Sequence, residues 1–290
     1  TYDETYLDGI VLNRYPNVAA FQKDLPYILR NLDFSPEKAE FLSSKIIVDP
    51  ARGSGGAWGA AMREDNAHLR TRISAKGMNY KGFNIAIHVL GHNVEQVFSL
   101  NEVDHTLLQG VPNTAFTEAF AFVFQSRDLP LLGLKKEDPM AEHLRAVDTF
   151  WSTFEIAGVA LVDMSIWHWM YDHPNATPAQ LNEAMQTIAR DVWNKYYAPV
   201  LGINDQILLA IYSHIIDAGL YLPDYPLGHI ISFQIEQYLK DKNLGQEMER
   251  MCKLGAITPD AWMNAAVGNP ISTKPLIEAT QAALKKVVGD

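Results

Sequence analysis

Two histidines, His88 and His92, stand four residues apart in the run Asn84-Ile85-Ala86-Ile87-His88-Val89-Leu90-Gly91-His92. On a helix this spacing sets both imidazoles on one face, where they can reach one zinc ion. The pattern H-E-x-x-H would add a proton-accepting glutamate directly after the first histidine, and here that place is held by Val89. Ile85, Ile87, Leu90 and Val94 flank the pair, which predicts a mostly buried helix. Taken alone, such a pair is as readily two hydrogen-bonded core histidines.

A second run changes the weight of the first. Asn113-Thr114-Ala115-Phe116-Thr117-Glu118-Ala119-Phe120-Ala121-Phe122 is strongly apolar and carries Glu118 as its lone carboxylate. A buried glutamate is costly unless paired or bound to a metal. Two histidines, one carboxylate and an open fourth position describe a catalytic rather than a structural zinc site. Phe120, Phe122 and Phe124 beside it read as helix packing. Farther on lie His214, Tyr221, Tyr225 and His229. Donors of these types near a zinc ion can stabilise an oxyanion, though each singly is equally a partly buried hydrogen-bonding group.

The elements that must position these residues are mostly helical. Ser35-Pro36, Thr177-Pro178 with Gln180, and Thr258-Pro259 each set a cap residue before a proline at the first helical position. Helices are predicted over roughly 16–30, 36–46, 80–99, 113–126, 139–170, 178–194, 202–219, 226–241, 259–267 and 273–287. Ala57–Met62 and the alternating His68–Ser74 predict a small antiparallel ribbon just ahead of the histidine helix. The glycine-rich Arg52–Gly56 lacks the lysine and spacing of a phosphate loop. Trp151, Trp167 and Trp169 are expected to anchor a buried central helix, and Lys135-Lys136-Glu137-Asp138 to form a solvated helix start.

Composition bounds the function. The 290 residues are 48% hydrophobic with a formal charge of −10, which argues against nucleic acid and acidic membranes as partners. The most apolar stretch, Phe154–Tyr171, contains Glu155, Asp163 and His168 and reads as a buried helix rather than a membrane span. One cysteine, Cys252, excludes an intrachain disulfide framework. The chain begins at Thr1, so a processed protein or a piece of a longer one is expected; compartment stays open between cytoplasmic and exported.

On these residues the chain resembles the thimet-oligopeptidase and oligoendopeptidase F group of zinc peptidases, gluzincins, and more distantly the angiotensin-converting-enzyme group. The carriers are Gly82–His92, Phe116-Thr117-Glu118-Ala119, His214 with Tyr221 and Tyr225-Pro226-Leu227-Gly228, and Gly56-Ala57-Trp58 at the start of a cleft-lining strand. The resemblance implies a mainly α-helical, zincin-like catalytic domain over residues 1–290, with its zinc core within about 50–240. It further implies that His88, His92 and Glu118 bind zinc, and that His214 and Tyr221 or Tyr225 face the scissile carbonyl of a peptide. The chain is much shorter than such proteins, so a missing N-terminal helical half or a protein partner is expected.

Val89 departs from the family's pattern, because valine neither takes nor gives a proton. General acid–base catalysis contributes about 10²–10⁴-fold. Three readings follow: a zinc protein that binds peptides but hydrolyses them poorly, a hydrolase whose base is Glu95, Glu102 or Asp104, and an interaction protein without metal. In the first, Glu95 instead orients His92.

Overall fold

A computed structural model describes residues 2–53, 55–134 and 139–288, and the fold is mainly helical with a small sheet ahead of the histidine helix. Ser54 and the run Lys135–Asp138, expected as a solvated helix start, lie outside the described residues. The chain forms two compact units, residues 1–138 with 232–272 and residues 139–231 with 273–290.

The first unit opens with α1 (Glu4–Arg14), α2 (Val18–Asn31) and α3 (Pro36–Ser44). Asp3, Asn17 and Ser35 cap them by accepting backbone N–H groups of the first turn. Strands β1 (Ile46–Pro50), β2 (Gly56–Trp58) and β3 (Ala67–Thr71) form a sheet in the order β1-β3-β2. β2 and β3 are the antiparallel ribbon read from the sequence, with Ala57 opposite Leu69. β1 adds a parallel partner on the other side, with Val48 opposite Leu69. Ala67, Leu69 and Thr71 of β3 are buried while His68 and Arg70 alternate outward. The short hairpin of β4 (Ile73–Ser74) and β5 (Gly77–Met78) then leads into α4 (Tyr80–Glu102). Next come α5 (Thr114–Gln125), packed along α4, and the short α6 (Asp128–Leu131).

The second unit is built on α7 (Ala141–Asp172), against which α8 (Pro178–Tyr196) packs. The capping box of Thr177 and Gln180 forms as expected. The inner face of α7 is made by small and branched residues, among them Gly158, Val159, Val162 and Ile166. Gly158 is required there, since a Cβ would lie 2.3 Å from the Tyr197 hydroxyl. Trp151 is exposed and Trp167 and Trp169 are half-buried, so these rings are not the anchors of α7. Its core instead joins Val159, Val162 and Ile166 to Trp193, Tyr197 and Leu222.

Residues 202–219 do not form the single helix expected. α9 (Ala198–Leu201) stops at Gly202 in the left-handed region, φ 73°. Asp205 is also left-handed, φ 58°, and is held there by two hydrogen bonds with Asn194 of 2.7 Å each. Beyond a 3-10 turn at Leu208–Ala210 only α10 (His214–Asp217) is helical. The chain passes back to the first unit within α11 (Asp224–Leu239), continues through α12 (Leu244–Cys252) and α13 (Pro259–Val267), and ends with α14 (Lys274–Val288) packed on α7. In the first unit, Trp262 of α13 meets Phe116 and Phe120 of α5 edge-on, at centroid distances of 5.0 and 5.8 Å. Among the described residues no helix is long and apolar enough to cross a membrane.

Candidate metal centre

α4 and α5 approach closely because Gly91 has no side chain. A Cβ there would lie 2.7 Å from the Ala121 Cα and 2.9 Å from the Phe120 carbonyl oxygen. His88 and His92 flank this contact on α4, and Glu118 lies on α5 less than one turn before Ala121. The close crossing brings all three side chains together.

Their geometry is that of a metal-ligand set. His88 Nε2 and His92 Nε2 are 3.2 Å apart. Glu118 places Oε2 3.4 Å from His88 Nε2 and Oε1 3.6 Å from His92 Nε2. Zinc–ligand bonds of about 2.0–2.1 Å set the edge of a coordination tetrahedron at about 3.3–3.4 Å. The three separations fall around that value. Among the described residues this is the one group of three ligand-type side chains that converges in this way.

The outer nitrogens show which way the rings are turned. His88 Nδ1 lies 3.0 Å from Gln125 Oε1, and His92 Nδ1 lies 2.9 Å from Thr117 Oγ1. Thr117 also hydrogen-bonds the buried Glu95 carboxylate, which accepts from Ser99 Oγ at 2.7 Å. With the Thr117 proton directed to Glu95, its oxygen accepts from His92 Nδ1–H. Both Nε2 atoms then present lone pairs toward each other and toward a carboxylate. Three acceptors at such distances repel unless a cation lies among them, so the donor set fits a zinc ion.

Charge states agree with that fit. Burial lowers the pKa of His92 to about 4, with the Glu118 carboxylate raising it and His88 lowering it further. The imidazole is therefore neutral at neutral pH, the form that ligates. Burial pushes the Glu95 carboxyl up, against the pull of its bonds from Ser99 and Thr117.

The other sequence candidates are placed as follows. Val89 is buried on α4 and offers no proton acceptor. Glu95 sits behind His92, on its Nδ1 side. Glu102 is ten residues past His92, about 15 Å along the helix, and its oxygens are 2.8 and 3.0 Å from Lys38 Nζ and Lys253 Nζ. Asp104 is exposed beyond the end of α4. None of these carboxylates stands on the inward side of the triad. His214, Tyr221 and Tyr225 gather with one another in the second unit, at ring distances of 5.4–6.2 Å. His214 also bonds Asp217 at 3.0 Å, and His229 is half-buried on α11.

Sequence reasoning missed the groups that hold the histidines: Thr117, Gln125 and, behind Gln125, Asn84. The available signal was polar residues inside otherwise apolar helices. Asn84, His88 and His92 repeat every four residues, and Gln125 follows Glu118 by two turns.

The sequence matches no family model and no curated protein. Its fold matches solved structures. One is Pz peptidase A with inhibitor 2, at TM-score 0.66 and 16% identity, covering 96% of this chain and 50% of that one. A second is described as oligoendopeptidase F, at TM-score 0.65 and 14% identity over the same shares. A third is a carboxypeptidase from Deinococcus radiodurans, at TM-score 0.52 and 12% identity, covering 98% of this chain and 70% of that one. The chain thus spans about half the length of the first two. What the likeness shows is the fold alone, one that this chain shares with these peptidase structures.

Proposed function

We propose that this is a zinc-binding protein of oligopeptidase type that holds peptides but hydrolyses them poorly or not at all. The observation that carries the reading is the convergence of His88 Nε2, His92 Nε2 and the Glu118 carboxylate, with the two nitrogens 3.2 Å apart, Oε2 3.4 Å from His88 and Oε1 3.6 Å from His92. A zinc ion bound there supplies Lewis acidity toward a carbonyl oxygen. His88 and His92 hold it as neutral ligands, and Glu118 supplies the balancing charge. Val89 leaves the position that takes and returns a proton empty of chemistry. Glu95 and Glu102 are engaged elsewhere and Asp104 is exposed past the end of α4, which favours impaired hydrolysis over a substitute base.

Peptide as ligand is supported by the names of the structural neighbours, a Pz peptidase and an oligoendopeptidase. It is supported too by β2, which stands at the edge of its sheet, where an extended chain can add by main-chain hydrogen bonding. The family resemblance implies that His214 and Tyr221 or Tyr225 face the peptide carbonyl. On this reading residues 1–290 are one peptidase-like part whose metal core lies within about 50–240.

The test combines calorimetry of the zinc-loaded protein against a library of short peptides with mass spectrometry of the same mixtures. Binding without chelator-sensitive cleavage is expected. Rapid cleavage abolished by His88→Ala or Glu118→Ala would overturn the non-hydrolytic reading.

A further inference from the structure

We propose that Asp128, two side chains removed from His88, fixes which nitrogen of His88 carries the proton. The proposal deepens the metal-site reading and rests on His88 being a ligand. Asp128 is buried at the start of α6. Its carboxylate collects three donors: Tyr80 Oη at 2.5 Å, Asn84 Nδ2 at 2.7 Å and the Leu129 N–H at 2.5 Å. Burial and the bond to Asp128 raise the Tyr80 pKa, so the phenol remains a donor.

The direction of the relay follows from the donor and acceptor inventory. A carboxylate only accepts, so Asn84 turns its NH2 toward Asp128 and its carbonyl away. That carbonyl accepts from Gln125 Nε2 at 2.7 Å. The remaining end of Gln125 is Oε1, which faces His88 Nδ1 at 3.0 Å. An amide oxygen cannot donate, so Nδ1 bears the proton and the Nε2 lone pair points inward. Each amide has one donor end and one acceptor end. Reversing one link sets two donors or two acceptors face to face, which leaves both groups of that contact without a partner.

The consequence is chemical. A free histidine side chain prefers its proton on Nε2, the atom that must be bare to ligate here. The relay removes that proton from the ligand position before any metal arrives. Thr117, which serves His92, is a rotatable hydroxyl and enforces no direction by itself. Asp128 is therefore a positioning residue for the first ligand, acting through Asn84 and Gln125.

The test reads tautomers directly, by long-range ¹H–¹⁵N spectra of the metal-free protein, alongside zinc affinity by chelator competition. In the wild type, His88 is expected as the Nδ1–H form. Asn84→Leu cuts the relay and is expected to return His88 toward the Nε2–H form and weaken zinc by about 10–100-fold. Adding Gln125→Glu to Asn84→Leu sets an acceptor-only group against Nδ1 and is expected to restore both. A wild-type His88 found as Nε2–H overturns the proposal, whatever the variants do. So does an Asn84→Leu protein with an unchanged thermal melt and an unchanged tautomer. A chain with the Nδ1–H form that takes up no zinc would instead overturn the zinc reading and leave the relay standing.

Discussion

Replacing Gly91 by alanine forces α4 and α5 apart at the point where His88, His92 and Glu118 meet. The added Cβ would lie 2.7 Å from the Ala121 Cα, and both partners are main-chain atoms of packed helices. Carbon atoms in contact sit about 3.5–4.0 Å apart, so α5 must give way by about 1 Å. Glu118 moves with it. Its 3.4 and 3.6 Å separations from the histidines then approach about 4.5 Å, beyond the roughly 3.3–3.4 Å edge of a zinc tetrahedron. Overpacking of this kind costs about 1–3 kcal/mol of stability. Loss of one ligand's reach adds a larger effect on the metal, expected as at least about a tenfold rise in zinc Kd, comparable to losing a supporting residue. Urea unfolding of the metal-free protein measures the first effect, and chelator competition the second. A Gly91→Ala protein that unfolds at the wild-type midpoint and binds zinc as tightly would refute the claim that this backbone contact places Glu118.

Three further outcomes follow from the same geometry. His92 has a folded pKa near 4 against about 6.5 unfolded, so the unfolded chain binds more protons between those values. Its contribution is fully present above about pH 6.5 and lost as pH falls toward 4, amounting to at most about 3 kcal/mol. The raised carboxyl of Glu95 works in the opposite sense, so the slope should be measured on metal-free Glu95→Gln protein, where a flat profile would contradict the burial of a neutral His92. Glu102→Gln breaks a partly exposed network with Lys38 and Lys253 and is expected to cost about 1 kcal/mol or less, shrinking in high salt; zinc affinity and peptide turnover should not change, and a fall in turnover would revive Glu102 as a base. Val89→Glu restores a proton acceptor one residue after His88. It is expected to raise chelator-sensitive peptide cleavage by about 10²–10⁴-fold over the wild type, while destabilising the metal-free protein by burying a carboxylate; unchanged turnover at full zinc occupancy would show that more than the base is missing.

The cluster of His88, His92 and Glu118 was legible because its signals are local. His88 and His92 are one helical turn apart, and Glu118 is the single carboxylate of an apolar helix. Proline at the first helical position marked the starts at Pro36, Pro178 and Pro259 to the residue. What failed was structure set by distant partners. β1 has only β3 to define it, and Ile46 at its start was absorbed into the preceding helix. α1 buries only Leu7 and Val11 along its helix, too few to show a period, and α12 is nine residues long. The 202–219 pattern looked helical, but left-handed Gly202 and Asp205 break it, and the Asn194 bonds that hold Asp205 come from another helix. The relay from Asp128 to His88 spans 40 residues of sequence and exists only once α4, α5 and α6 are assembled.

The most direct test of the central claim is a zinc titration of the metal-free protein followed by X-ray absorption at the zinc edge. Saturation is expected at about one zinc per chain, with two imidazole nitrogens and carboxylate oxygen at about 2.0–2.2 Å, and loss of that signal in both His88→Ala and Glu118→Ala. A folded chain that takes up no zinc, or takes it up equally well without Glu118, would contradict it.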